Sequence, residues 1–193
     1  LGISLLAPYI APNDPYKIDL QNTLKAPNRE FFLGTDALGR CVFSRMIYGA
    51  SRTIFSSLIL VSLMFVFGSF IGIISGYIGG LFDNIVMRIV DVFLAFPSLV
   101  LAIAVAGVLG GGMINAMIAI GVIGWTKYAR LARGEVLEIK EETFIKAARL
   151  SGNSSMYIVF KHIMPRVLST LIVTASLDIG TTIMEMAALS FLG

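Results

Sequence analysis

Cysteine occurs once in this chain, at Cys41, and histidine once, at His162. A lone cysteine excludes an intrachain disulfide and any CxxC or cysteine-rich metal site. A lone histidine, set in a polar stretch, leaves neither a His-Glu-x-x-His zinc site nor a Ser-His-Asp triad to build. Charge is scarce as well: Asp, Glu, Lys and Arg make up 14% of the 193 residues, against 56% hydrophobic ones. The run Gly110, Gly111, Gly112 is a tight turn and not a phosphate loop, because no Gly-Lys-Ser/Thr follows it. With no Walker A motif and no catalytic constellation, the chain reads as a non-enzyme with no cofactor or metal of its own.

What is abundant is apolar sequence. A mean hydropathy of +0.85 lies outside soluble norms, and the excess is gathered in blocks of spanning length. These are expected at 53–77, 85–109, 114–128 and 167–189. LGISLLAPYI at the start is too short to cross a bilayer and reads as the tail of a further span, so the sequence is expected to be a fragment. The expected fold is an all-α polytopic transmembrane bundle of four full spans plus a partial first one. Its parts are a remnant over 1–11, an extracytoplasmic segment over 12–50 and a membrane domain over 51–193.

Each span carries a feature. Gly68, Gly72 and Gly76 recur every four residues, which strips one helix face of bulk and lets another helix approach closely. Arg88 and Asp91 are three apart and can pair on one helix, and Pro97 should kink the span that contains them. Trp125 and Tyr128 are placed as interfacial aromatics at the end of the third span. Lys127, Arg130 and Arg133 lie beside them, and Lys140, Lys146, Arg149, Lys161 and Arg166 follow. This density of basic residues at membrane ends puts the intervening stretch in the cytoplasm and 12–50 outside. Beside two spans, the cluster is no nucleic-acid site. In the last span Asp178 and Glu185 are seven apart, on roughly one face. Carboxylates there should face the bundle interior: they either line a path attractive to cationic or zwitterionic cargo or serve as packing groups. Met184 and Met186 read as packing filler.

The one long polar passage of the C-terminal two-thirds, 134–165, reads as a helical elbow. Residues 135–150 form a first helix, Gly152 its left-handed end, Asn153, Ser154 and Ser155 the candidate caps of a second helix over 156–163, and Pro165 the stop of that helix and the start of the next. KAARLSGNSSMYIVFKHIMP resembles the Glu-Ala-Ala loop of bacterial binding-protein-dependent ABC importer permeases. Ala147, Ala148, Gly152 and Pro165 match that pattern in register, while Lys146 replaces the Glu, His162 an Ile and Met164 a Leu. FLGTDALGRCVFSRMIYGASRTI resembles the segment before the second helix in the peptide and nickel branch, through Leu33, Gly34, Thr35, Asp36, Gly39, Arg40, Ser44, Arg45 and Gly49. Cys41 stands where that branch usually has Asp. Locally, Gly34 and Gly39 permit tight turns and Asp36 can cap amides; a purely structural loop is as good a reading as a binding role.

The resemblance implies a second (C-type) permease subunit of type I architecture in a bacterial inner membrane. Loop 130–165, with Lys146, Ala147, Ala148, Gly152, His162 and Pro165, would couple it to separate ABC ATPase subunits, which use the ATP. The other implied partners are a second permease subunit, an extracytoplasmic substrate-binding protein and the lipid bilayer. Implied cargoes are di- or oligopeptides, nickel or nickel chelates; ARLSG and SLDIG lean toward nickel-type members. Two rival classes remain. An ATP-independent channel or carrier would need its own coupling-ion site, and an intramembrane aspartyl protease using Asp178 would need a second aspartate, for which Asp91 is a poor candidate.

Overall fold

The computed structural model describes residues 6–192, so positions 1–5 of the expected remnant 1–11 lie outside the described residues. The chain divides into two compact units, Leu1–Ser56 and Ser57–Gly193. Apart from an isolated bridge between Thr35 and Cys41, the described residues form helices and loops.

In the first unit a single turn, α1 (Ala7–Ile10), precedes an extended segment with a short 3₁₀ turn at Leu20–Asn22. Helix α2 (Val42–Ile78) begins in this unit and is long and apolar enough to cross a membrane.

The second unit is built around one helix. After α3 (Gly80–Leu94) and α4 (Ser98–Leu109) comes α5 (Met113–Ile139), which packs against α3, α4 and the last long helix, α8 (Met164–Leu192). The buried face of α5 is set by small and β-branched residues, among them Ala119, Ile123, Ala129, Ala132 and Val136. That face accepts α2 along its glycines. A Cβ built on Gly68 would lie 2.3 Å from the Trp125 carbonyl oxygen, on Gly72 2.2 Å from that of Ala129, and on Gly76 3.0 Å from that of Arg133. Only a missing side chain permits backbones this close.

Three sequence expectations change here. The second span is not one kinked helix: α3 and α4 meet at 86°. Pro97 lacks an N–H and disfavours helical geometry at Phe96, so α3 ends at Leu94 and a new helix starts at Ser98. The first elbow helix is also divided. Helix α5 runs on to Ile139, and after a break at 140–142 a separate α6 (Thr143–Leu150) follows. Finally, Pro165 stops nothing. Helix α7 (Ser155–Ile158) passes through a π-helical segment, Val159–Ile163, straight into α8. The wider turn lets the Met164 N–H reach the Val159 carbonyl and absorbs the proline, whose missing N–H and bulky ring would otherwise break the ladder.

Two helices, Val42–Ile78 and Ser155–Phe191, are long and apolar enough to cross a membrane, or three if the bent pair is one span. Helix α5 is not among them, because its second half carries Lys127, Arg130 and Arg133.

Candidate functional site

Three constellations hold the residues singled out by sequence. In the first unit, the Gly-Thr-Asp-x-x-Gly-Arg motif folds around Asp36. Its Oδ1 accepts the backbone N–H groups of Leu38 (2.9 Å) and Arg40 (3.0 Å), and Oδ2 accepts Arg40 Nε (2.9 Å) and pairs with Arg45. Partial burial pushes the carboxyl up, but these hydrogen bonds outweigh it and hold its pKa at about 2, against an ordinary 3.8. Gly39 has φ +72° and its missing Cβ would fall 1.7 Å from the Asp19 carbonyl, so no other residue fits. Gly34, φ +73°, is bounded likewise by the Lys25 carbonyl. Thr35 Oγ1 accepts the Lys25 N–H and donates to the Asn22 carbonyl, and buried Ser44 accepts the N–H of Asn13. Each of these hydrogen bonds and ion pairs closes within the first unit itself, on backbone groups or on the motif's own arginines.

The second constellation is the elbow. Helix α6 ends in a Schellman turn: Gly152, at φ +79°, donates its N–H to the Arg149 carbonyl, and the Asn153 N–H reaches back to Ala148. Of the three candidate caps Ser154 is the one used, accepting the Tyr157 N–H at 3.3 Å. The two arms are locked by ring contacts. His162 lies edge-on to both Phe144 (5.9 Å) and Tyr157 (5.8 Å), and Arg166 covers Phe144 while pairing with Glu142 at 2.8 Å. Ile145 is fully buried beneath, Ala148 packs inward against the chain's own core, and Ala147 and Lys146 face out, Lys146 beside Glu141. At the tip Leu150 is 89% exposed.

The third lies midway along α5 and α8. Lys127 Nζ bonds Asp178 Oδ1 at 2.6 Å, and the Tyr128 hydroxyl donates to Oδ2 at 2.8 Å. Lys127 and Asp178 border a cavity of about 360 Å³, lined also by Ser98, Thr126, Thr182 and Glu185. Further along α5, Arg133 forks onto Asp83, which also accepts the Ser75 hydroxyl (2.6 Å), and Lys140 caps the end of α2 at the Gly76 carbonyl.

Two sequence expectations fail in this region. Asp91 pairs with Arg130 on α5 and not with its neighbour Arg88. Tyr128 is no interfacial aromatic but wholly buried, and Trp125 is wedged against Phe67 and Phe93. Asp178 and Asp91 are each committed to a cation of their own, which gives no aspartate dyad. The sequence reading missed Asp83, and took Lys127, Arg130 and Arg133 for membrane-edge charges. Their partners stand 39 to 51 residues away, beyond any local pattern.

The description "Binding-protein-dependent transport system inner membrane component" fits residues 68–193. The chain is 40% identical over 191 residues to the "Dipeptide transport system permease protein DppC" of Alkalihalophilus pseudofirmus, covering 99% of this chain and 63% of that protein. It is 41% identical over 193 residues to the "Probable D,D-dipeptide transport system permease protein DdpC" of Escherichia coli K12, covering 100% and 65%. To the "Glutathione transport system permease protein GsiD" of Escherichia coli O6:K15:H31 it is 40% identical over 192 residues, covering 99% and 63%. The chain thus spans a little under two thirds of the length of these relatives. On the span of the match it belongs to the family of binding-protein-dependent transport system inner membrane components.

Proposed function

We propose that this chain is a permease subunit of an ATP-driven importer in a bacterial inner membrane, with short peptides as cargo and the elbow as its ATPase-docking surface. The observation that carries the reading is the elbow itself. A Schellman turn, a capping serine and a ring-locked pair of arms make a stiff projection whose tip offers Leu150 to a partner. Such a unit can transmit a push as a rigid body. The relatives' names, dipeptide, D,D-dipeptide and glutathione, support peptide cargo. Nickel or a nickel chelate is the second reading, favoured by ARLSG and SLDIG.

In this reading α5 is a fourth crossing, together with α2, the bent pair α3–α4 and α8. Its cations reach the bilayer depth already neutralised by Asp178, Asp91 and Asp83, which lowers the cost of placing them there. ATP is hydrolysed by partner ATPases, whose closure moves the elbow and, through the glycine-packed α2–α5 pair, opens and closes the path. A second permease subunit completes the path, and an extracytoplasmic binding protein delivers the cargo.

The test is a detergent pull-down of the full-length protein, with and without Gly152→Val. Space around Gly152 is open, so the substitution acts through its left-handed backbone, at a cost of about 1–2 kcal/mol. Co-purification of a Walker-type ATPase that weakens on mutation is expected. A protein that purifies alone and still transports would instead favour an ATP-independent carrier.

A further inference from the structure

The geometry points to the cavity on α5 and α8 as a zwitterion site, in which Glu185 takes the ammonium and Lys127 the carboxylate of a di- or tripeptide; this rests on the peptide-importer reading. The cavity's charges do not balance. Asp178 is consumed on both oxygens, by Lys127 and by Tyr128. Glu185 lines the same space with neither a hydrogen bond nor an ion pair among the described residues. With Glu185 ionised, Lys127, Asp178 and Glu185 sum to one negative charge, and Lys127 is the one cation among the described lining residues for two carboxylates. An uncompensated carboxylate in an apolar bundle is costly, so the site favours a guest that brings an ammonium.

The opposite pole is ready for a carboxylate. Lys127 spends one of its three donors on Asp178 and leaves half its side chain open. Asp178 thus holds the ammonium in place while two N–H groups point elsewhere. Glu185 follows Asp178 by seven residues on α8, about 10 Å along the helix axis at 1.5 Å per residue. An extended peptide advances about 3.3–3.6 Å per residue, so three residues cover about 10 Å and two about 7 Å, the shorter guest relying on the reach of the long Lys127 and Glu185 side chains. The volume of about 360 Å³ suits a guest of this size. The lining also includes Met64, Ile120, Ile123 and Gly124, apolar or absent side chains, alongside the hydroxyl residues Ser98, Thr126, Thr181 and Thr182.

The test uses the full-length chain in proteoliposomes with the subunits that co-purify with it, and measures uptake of radiolabelled Ala-Ala at saturating binding protein. Glu185→Gln is expected to lower uptake at least about tenfold, the scale of one lost charge-assisted hydrogen bond, while the complex still assembles and hydrolyses ATP. Glu185→Asp keeps the charge but withdraws it by one methylene, and uptake should fall only several-fold. Unchanged Ala-Ala uptake in Glu185→Gln overturns the inference; if that variant fails to assemble, unchanged uptake in Glu185→Asp does so. If the unmodified complex takes up Ni²⁺ but no Ala-Ala, the peptide reading itself falls, whatever the Glu185 variants do.

Discussion

Asp36 pairs with two arginines and Asp83 with one, and the two carboxylates do different work. Asp36 belongs to a water-facing loop, where its oxygens are shared between two backbone amides and two guanidinium groups. Its task is to satisfy a backbone that has no helix to do so. Asp83 is buried in the first turn of α3, and it neutralises Arg133 with help from Ser75. In the loop the carboxylate replaces secondary structure. In the bundle it permits a charge to sit among apolar helices, where an uncompensated one is expensive. Glycine divides the same way: Gly39 supplies a backbone conformation, whereas Gly72 supplies only the absence of a side chain.

This contrast can be broken by experiment. The largest effect is expected from Gly72→Val, whose Cβ would strike the Ala129 carbonyl. The α2–α5 pair should separate at a cost of about 3 kcal/mol or more, read as lost folded yield and a lower melting temperature in detergent. Gly49→Ala, where nothing lies within 4 Å, should melt with the unmodified protein. Next comes Asp83→Ala, which strands Arg133. Since that guanidinium is a third exposed, a loss at the lower end for broken buried pairs is expected, about 3 kcal/mol. Asp83→Ala with Arg133→Met should recover much of it. A double variant no better than the single one would show that Asp83 acts through Ser75 and the start of α3.

Asp36→Ala should leave the detergent melt of the bundle unchanged while protease cuts within 12–50 more readily. A fall in the bundle's melting temperature would erase the distinction between the two carboxylates. The mildest test is acid. Asp36 has its pKa lowered from 3.8 to about 2 in the folded loop, so its stabilisation is complete above about pH 4 and is lost as pH falls through 2. Protection of 12–50 from an acid-active protease should therefore hold at pH 4 and decline toward pH 2. Asp36→Asn should abolish that dependence.

Much of this was legible from the residues. The glycine spacing of α2 gave a close-packing face before the partner helix was known, and Gly152 with the run Asn153, Ser154, Ser155 marked the elbow turn without saying which of the three would cap. Local chemistry suffices there, because a left-handed residue and a capping hydroxyl act within four positions. Pro97 announced a disturbance, though not one of 86°. The elbow's internal register was misread for a specific reason: the sequence contains no mark of a π turn, so Pro165 looked like a stop. Lys127, Arg130 and Arg133 were read as edge charges because they follow an apolar run. Their acidic partners lie on other helices, and periodicity carries no information about which helix comes alongside.

Composition and spacing by themselves determined an all-helical, apolar chain, a small-residue helix face and a polar elbow, since each depends on contacts within a few turns. Only the tertiary structure decided that α5 stands at the centre, that its three cations are paired, and that Glu185 lines the cavity with no hydrogen bond or ion pair among the described residues. The reason is physical: a helix satisfies its own backbone locally, but a charge in an apolar bundle can be satisfied only by what packing brings to it.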